Sequence, residues 1–318
     1  MNRRLDSEEL ARYDCLFVAP HGDDVMLACP ARLQSEAERG RRVLVLALFE
    51  PVGGEGAAAR AARDLGVDYV AAGLVPARAR RAEGLLAEAP GRSVEDEDAM
   101  AEAAALLAEA GPRTRAIHVY APLGLGGSAD HSLTYESAVR AFATEPGRNL
   151  FLYEERPEAF VPGAVRTRLA LLGARLPPGA SRSVRRSWLL AYLWRVNEPA
   201  RLRDDIHGIG ARLAALAEAR RLFAQARPWN PQRAFGPRLQ PVVHAGDEEA
   251  MGRARAVAEL LLCRNRVGRR RAAAIFNQRA AVAAKRLGGA YHAERLWLFL
   301  PSGDGLPEVQ HPLERPGR

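Results

Sequence analysis

Short apolar runs alternate with helix-forming segments along the first half of the chain, and this alternation is the feature that most restricts the fold. The runs predict buried strands at residues 15–19, 43–49, 68–72, 116–121 and 149–153. Helices are expected between and after them, at residues 23–39, 57–65, 96–110 and 132–142. This spacing predicts a Rossmann-like, doubly wound α/β fold, with a mainly parallel sheet and helices on both faces.

The second half of the chain has a different pattern. Helices are predicted at residues 199–226, 248–263 and 270–286, and a closing strand at 294–299. A chain of 318 residues, 48% of them apolar, can build a substantial core. We interpret residues 1–318 as one domain, with a motif-bearing Rossmann-like half at 1–157 and a largely helical, rim-forming half at 158–318.

The formal net charge of +8 raises the question of a nucleic-acid partner. Lys285 is the only lysine, and the arginines are dispersed along the chain instead of forming one basic stripe with aromatic residues. This distribution indicates a compositional bias of the whole chain. We therefore expect no nucleic-acid partner.

The three cysteines, Cys15, Cys29 and Cys263, are widely spaced and form no Cys-x-x-Cys pair. That pattern argues against a disulfide framework and against a cysteine zinc site. The residues after Met1 become acidic where a signal peptide needs its apolar core, and no apolar run approaches membrane-spanning length. We therefore expect a cytoplasmic protein without a membrane span.

Residues with metal-ligand chemistry follow two of the predicted strands. His21 and Asp24 come directly after the first strand, and His131 follows the fourth strand after a glycine-rich stretch. Parallel strands bring their carboxyl ends to one edge of a sheet, where ligands bind. Two imidazoles and one carboxylate leave one position of a tetrahedral zinc ion open, as in catalytic zinc sites. Asp23 lies beside these ligands and could take the proton of a bound water.

At these residues the sequence resembles the PIG-L/LmbE-like family of zinc-dependent N-acetylglucosaminyl deacetylases. Residues 20–24 read Pro-His-Gly-Asp-Asp, as in the family's first motif, Pro-His-x-Asp-Asp. Residues 122–131 read Pro-Leu-Gly-Leu-Gly-Gly-Ser-Ala-Asp-His and fit the second motif except at Ser128, where the family has histidine. Residues 151–157 are a weaker match to a Tyr-Glu-Asp-x-Pro stretch. The resemblance covers residues 13–157, about half of the chain.

The resemblance implies a hydrolase that holds Zn²⁺ or another divalent metal. It implies removal of an acetyl or other acyl group from an N-acetylated amino sugar or glycoconjugate, by attack of a metal-bound water. In family terms Asp23 is the base, and the metal ligands are His21, Asp24 and His131.

Two residues of the second motif carry open interpretations. Asp130 either orients a nearby imidazole or caps the helix expected from residue 132, and the two interpretations are equally supported. Ser128 can donate a hydrogen bond, but it has no pKa near neutrality and cannot match a histidine as general acid. Loss of such an acid typically costs about 10² to 10⁴ in rate.

Candidates for substrate binding are less well defined. The family's arginine-bearing segment is missing, and Arg60 and Arg63 on a predicted helix are the nearest substitutes, unless they simply form a solvated face. His244, in a predicted loop, is the best replacement for the missing histidine, unless it is a solvated loop residue.

Two alternative functions stay open. The first is a degenerate family member that keeps the fold and serves as a binding or scaffold protein. The second is a Rossmann-type nucleotide binder, because a glycine-rich loop at 124–129 weakly matches a dinucleotide fingerprint. The oligomeric state is also open, and a homo-oligomer is compatible with the sequence.

Overall fold

The computed structural model describes residues 10–52, 56–80, 95–125, 129–156, 159, 164–177, 229–231, 233, 235–246, 248–262 and 292–300. The strands of this part of the chain are β1 (Cys15–Ala19), β2 (Val43–Ala47), β3 (Asp68–Ala71), β4 (His118–Pro122), β5 (Asn149–Tyr153), β6 (Arg238–Gly246) and β7 (His292–Leu300). They form one sheet in the order β3-β2-β1-β4-β5-β7-β6.

The first five strands pair in parallel, and β7 and β6 extend the sheet in antiparallel pairing. The predicted Rossmann-like, mainly parallel sheet is therefore confirmed. The predicted closing strand at 294–299 is confirmed as part of β7.

The sequence did not predict β6. His244 was expected in a loop, and this expectation is wrong, because the residue lies in β6 opposite Glu294 of β7. Pro241 interrupts the sequence pattern of this segment, but an edge strand tolerates a proline that cannot donate a ladder hydrogen bond.

The helices are α1 (Gly22–Ala28), α2 (Pro30–Glu38), α3 (Ala57–Asp64), α4 (Ala77–Arg80), α5 (Glu95–Arg113), α6 (Ala129–Phe142), α7 (Ala164–Leu171) and α8 (Glu248–Leu262). The predicted helix at 248–263 is confirmed by α8. The helices predicted at 199–226 and 270–286 lie outside the described residues. Among the described helices, none combines the length and apolar character needed to cross a membrane.

One predicted helix is divided in two. The helix expected at 23–39 ends at Ala28, and a second one begins at Pro30. Proline has no amide proton to donate to the preceding turn, and its ring favours the first position of a new helix. Glu294 of β7 accepts hydrogen bonds from the amides of Ala31 and Arg32, at 2.7 and 2.9 Å, and so caps the new helix.

Two other helix boundaries differ from the prediction. The helix expected to stop at residue 110 continues through Pro112 to Arg113, because Arg148 donates to the carbonyls of Gly111 and Thr114 at its end. The helix expected from residue 132 begins at Ala129, so the last residues of the second motif are helical.

Buried residues lie on both faces of the sheet. Alternate residues of β1 point to opposite sides: Val18 packs in the core beneath α5 and α6, and Phe17 packs in the core beneath α1, α2, α3 and α8. This confirms helices on both faces. From β1 the chain moves outward to β2 and β3, and from β4 it moves the other way to β5, so the strand order reverses between β1 and β4. In doubly wound sheets this switch point is where ligands bind.

Candidate metal centre

The candidate site lies at the carboxyl ends of β1 and β4. His21 and Asp24 are held where α1 begins directly after β1, and His131 lies in the first turn of α6, after β4. A carboxylate is favoured at a helix N-terminus by the exposed amides and the helix dipole, and Asp24 also accepts the backbone amide of His21 at 3.1 Å. The two strand–helix junctions thus bring His21, Asp24 and His131 together.

Asp24 is the centre of this cluster. Its Oδ2 lies 3.3 Å from Nδ1 of His21 and 3.5 Å from Nε2 of His131. One ligand atom from each of the three residues lies within 4.8 Å of the others. Two imidazole nitrogens and one carboxylate oxygen suit zinc and related divalent ions, so the residues present fit such an ion.

Each imidazole contacts a buried carboxylate through the ring nitrogen that faces away from Asp24. Nε2 of His21 lies 3.2 Å from Oδ2 of Asp130, and Nδ1 of His131 lies 3.3 Å from Oε1 of Glu155. Metal-binding histidines usually donate their second N–H in this way, which fixes the tautomer and the ring orientation. The nitrogens that face Asp24 are therefore the ones left to bind a metal.

The electrostatics of the cluster favour a cation. Burial alone would lower the pKa of His21, but hydrogen bonds to Asp130 and Asp24 outweigh it and raise the pKa to about 10. Burial would raise the pKa of Asp24, but His131 and His21 hold it below its usual value. Without an ion, protonated His21 supplies a positive charge between Asp24 and Asp130, and a divalent ion would take the place of the proton that faces Asp24.

Asp23 has the opposite electrostatic environment. Burial and the adjacent charge of Asp24 raise its pKa to about 6. A carboxylate with a pKa just below neutrality is deprotonated at pH 7 and still basic enough to accept a proton in catalysis.

The junction between β1 and α1 is packed closely at Gly22, the first residue of α1. The amide of Gly22 donates to Oε2 of Glu50 at 2.7 Å. A Cβ atom at this position would lie 2.5 Å from the Tyr69 hydroxyl and 2.6 Å from the Ala58 side chain, so only glycine fits. Sequence reasoning did not single out Glu50, although it follows β2 at the same edge of the sheet.

Asp130 occupies the second residue of α6 and contacts His21. The amide of Ala77 donates to both of its oxygens at 3.0 Å. Because α6 begins at Ala129, the capping interpretation no longer fits Asp130. Ser128 lies outside the described residues.

The three candidates for substrate binding lie on α3 and β6, and none of them belongs to the cluster of His21, Asp24 and His131. Arg60 and Arg63 are exposed on α3, whose opposite face is buried. His244 hydrogen-bonds to the backbone of Ala31 in α2, and burial lowers its pKa.

Glu155 is the residue of this site whose role the sequence did not reveal. It is fully buried, and its Oε1 accepts the amides of Gly124 and Leu125 at 2.8 Å as well as facing His131. In the sequence, Glu155 was marked only by its place in the weak third motif at residues 151–157, and that motif did not indicate which residue Glu155 would contact.

Replacing Glu155 by glutamine is expected to weaken metal binding by about 10- to 100-fold, the usual cost of losing an outer partner of a metal-bound histidine. The Glu154→Gln variant is a matched control, because the neighbouring Glu154 contacts Trp297 and Arg295 instead of His131. Metal affinity is measured by titrating the metal-free proteins in competition with a chelator. Equal affinities in the two variants would remove Glu155 from the centre.

No protein-family model matches the chain, and no curated protein matches it significantly. Several solved structures match the chain. A deacetylase from the teicoplanin biosynthesis pathway has a TM-score of 0.56 at 16% identity, covering 92% of this chain and 99% of that one. The zinc-inhibited form of teicoplanin deacetylase gives 0.56 at 15% identity, with 92% and 99% covered. A deacetylase–teicoplanin complex gives 0.56 at 15% identity, with 91% and 99% covered.

At these identities the similarity shows the fold alone. It agrees with the resemblance seen in residues 13–157. The chain has the α/β fold of the PIG-L/LmbE-like deacetylases.

Proposed function

We propose that the protein is a metal-dependent hydrolase that removes an acetyl group from an N-acetylated amino sugar or glycoconjugate. The observation that carries the proposal is the cluster of His21, Asp24 and His131, with an independent carboxylate behind each imidazole. Structures of the same fold that are named deacetylases support the acetyl group as the target. The buried free thiols of Cys15 and Cys29 support a reducing compartment, and we propose the cytoplasm.

The three ligands would hold Zn²⁺ or another divalent ion. When bound, such an ion supplies Lewis acidity, which polarises the acetamide carbonyl and lowers the pKa of water. Asp23 precedes Asp24 in the first turn of α1, and its carboxyl is close enough for the charges of Asp24 and His21 to shift its pKa. An ion held by the three ligands would therefore lie near Asp23, which would act as the base.

Asp23 can serve in both halves of the hydrolysis. It accepts one proton as the water oxygen bonds to the acetamide carbon. It then returns that proton to the nitrogen as the carbon–nitrogen bond breaks, which yields the free amine and acetic acid, and the acid ionises to acetate near neutral pH. A pKa of about 6 suits both tasks near neutral pH. Asp23 therefore offers an acid in place of the family histidine that Ser128 replaces.

The proposal is tested by measuring acetate release from acetamido sugars and their conjugates by metal-free protein, to which one divalent metal at a time is added back. Each metal is titrated from below one equivalent to excess, because one structure of this fold is described as a zinc-inhibited form. We expect acetate release that requires the metal. Stoichiometric metal binding without acetate from any substrate would support the alternative, a degenerate family member that binds ligands without hydrolysing them. The observation that favours this alternative is Ser128, which replaces the family histidine.

The pH dependence gives a further prediction. Asp23 must be deprotonated to accept a proton, so kcat/KM is expected to fall about tenfold for each pH unit below its pKa of about 6. A cation bound at Asp24 favours the charged carboxylate, so the acid limb should lie at or below that value. The profile is measured across the acidic and neutral range, with circular dichroism to show that the fold persists. A profile without an acid limb would contradict this role for Asp23.

A further inference from the structure

We propose that Arg80 is a positioning residue of the metal centre, acting on His21 through Asp130. This inference rests on the proposed function only in taking His21 as a metal ligand. It adds a guanidinium, separated from His21 by 59 positions in the sequence, to the groups that set metal affinity.

Every polar direction of the Asp130 carboxylate is used. Oδ2 faces Nε2 of His21 at 3.2 Å, and Oδ1 is paired with the guanidinium of Arg80 at 2.9 Å. The amide of Ala77 donates to both oxygens at 3.0 Å. Ala77 begins α4 and Arg80 ends it, so this short helix fixes the plane of the carboxylate that orients His21.

Arg80 is itself held in place. Its side chain is 7% exposed, and the same guanidinium pairs with Asp96 of α5 at 2.9 Å. It also donates to the carbonyl of Val75 and packs 4.9 Å from the centre of the Phe49 ring. Nη2 of Arg80 contacts both carboxylates and Nη1 donates to Val75, so the planar guanidinium is held at two nitrogens, whereas a lysine ammonium offers only one. The contacts therefore transmit a rigid position from α5 to Asp130 and on to His21.

A purely structural ion pair would behave differently. Buried ion pairs often contribute little net stability, and breaking one destabilises the whole fold because a buried charge is left unpaired. Such a loss would lower the melting temperature and leave the metal affinity of the folded protein unchanged. Metal affinity of the folded protein therefore separates positioning from structural support.

The test compares Arg80→Met with Arg148→Met. The Arg148 side chain is also largely buried, at 10% exposure. It donates to the carbonyls of Gly111, Thr114 and Ala116 near the amino ends of β4 and β5, whereas the metal centre lies at the carboxyl ends of the strands. We expect Arg80→Met to weaken the binding of Zn²⁺, by no more than the roughly 10- to 100-fold that losing a direct partner of a metal-bound histidine costs. Arg148→Met should lower the melting temperature without changing the metal affinity.

Affinity is measured by chelator competition on metal-free protein at a temperature where both variants are folded. Unchanged affinity in Arg80→Met, with a melting temperature lowered as in Arg148→Met, would overturn the inference. If Arg80→Met does not fold, Arg80→Lys takes its place, and it should also weaken binding because an ammonium has a single nitrogen and loses the second contact, at Val75, that fixes the guanidinium plane.

A second readout needs no metal. The Nε2 proton of His21, hydrogen-bonded to Asp130, is followed by NMR in ¹⁵N-labelled metal-free protein. Its resonance should shift or exchange faster in the Arg80 variants and stay unchanged in Arg148→Met. If the wild-type protein binds no metal, the metal-dependent function fails, while this resonance still decides whether Arg80 positions His21. An unaltered resonance would then refute the inference.

Discussion

The His131→Ala variant is expected to lose stoichiometric metal binding and, with it, acetate release. His131 supplies Nε2 to the cluster at 3.5 Å from Asp24, and its ring is already fixed by Glu155. Removing a ligand must cost more than the roughly 100-fold that loss of an outer partner costs, because the ion loses a direct bond and not merely an orienting contact. A three-ligand site reduced to two should fail to retain Zn²⁺ through gel filtration.

His118→Ala provides the matched control for this experiment. His118 begins β4 and packs edge-on against the Phe151 ring at 5.7 Å, far from the end of the strand that leads to the cluster. The two variants remove the same side chain from neighbouring parts of one fold. Elemental analysis of both proteins, with equal folding checked by circular dichroism, gives the comparison. One tightly held metal per chain in His131→Ala would place the binding site elsewhere.

The fold could be predicted because its signals are local. A strand buried on both faces reads as a continuous apolar run, and β1 is such a run with every residue buried. Failures occurred where a long-range contact compensates for a local breaker: Glu294 caps the helix at Pro30, and Arg148 satisfies the carbonyls beyond Gly111. Neither partner is visible from the neighbouring sequence.

The candidate site was only partly readable for the same reason. His21, Asp24 and His131 could be brought together from sequence, since parallel strands deliver the residues after them to one edge. The residues that contact these ligands or their partners, Glu155 and Arg80, could not be predicted from the sequence. Glu155 reaches His131 across 24 positions and Arg80 reaches Asp130 across 50, through side-chain packing that no short motif specifies.

Replacing Asp23 by asparagine is expected to lower kcat by about 10² to 10⁴ while leaving the metal bound, as for the loss of a general acid–base group. Asparagine keeps the size of the side chain but cannot accept the proton of water. The three ligands are untouched, so metal content should equal that of the wild-type protein. The acid limb of the pH profile should disappear together with the rate.

Asp68→Asn is the control for the chemical change, because Asp68 lies at the exposed start of β3 and pairs with Arg42 at 3.1 Å on the surface. Its kcat should match the wild type, since surface ion pairs contribute at most about 1 kcal/mol to stability and nothing to the reaction. A metal-loaded Asp23→Asn protein with wild-type kcat would mean that another group moves the proton. A protein that loses its metal as well would instead place Asp23 among the ligands. The two variants therefore separate the base from the binding site: we expect His131→Ala to remove the ion and Asp23→Asn to remove only the proton acceptor beside it.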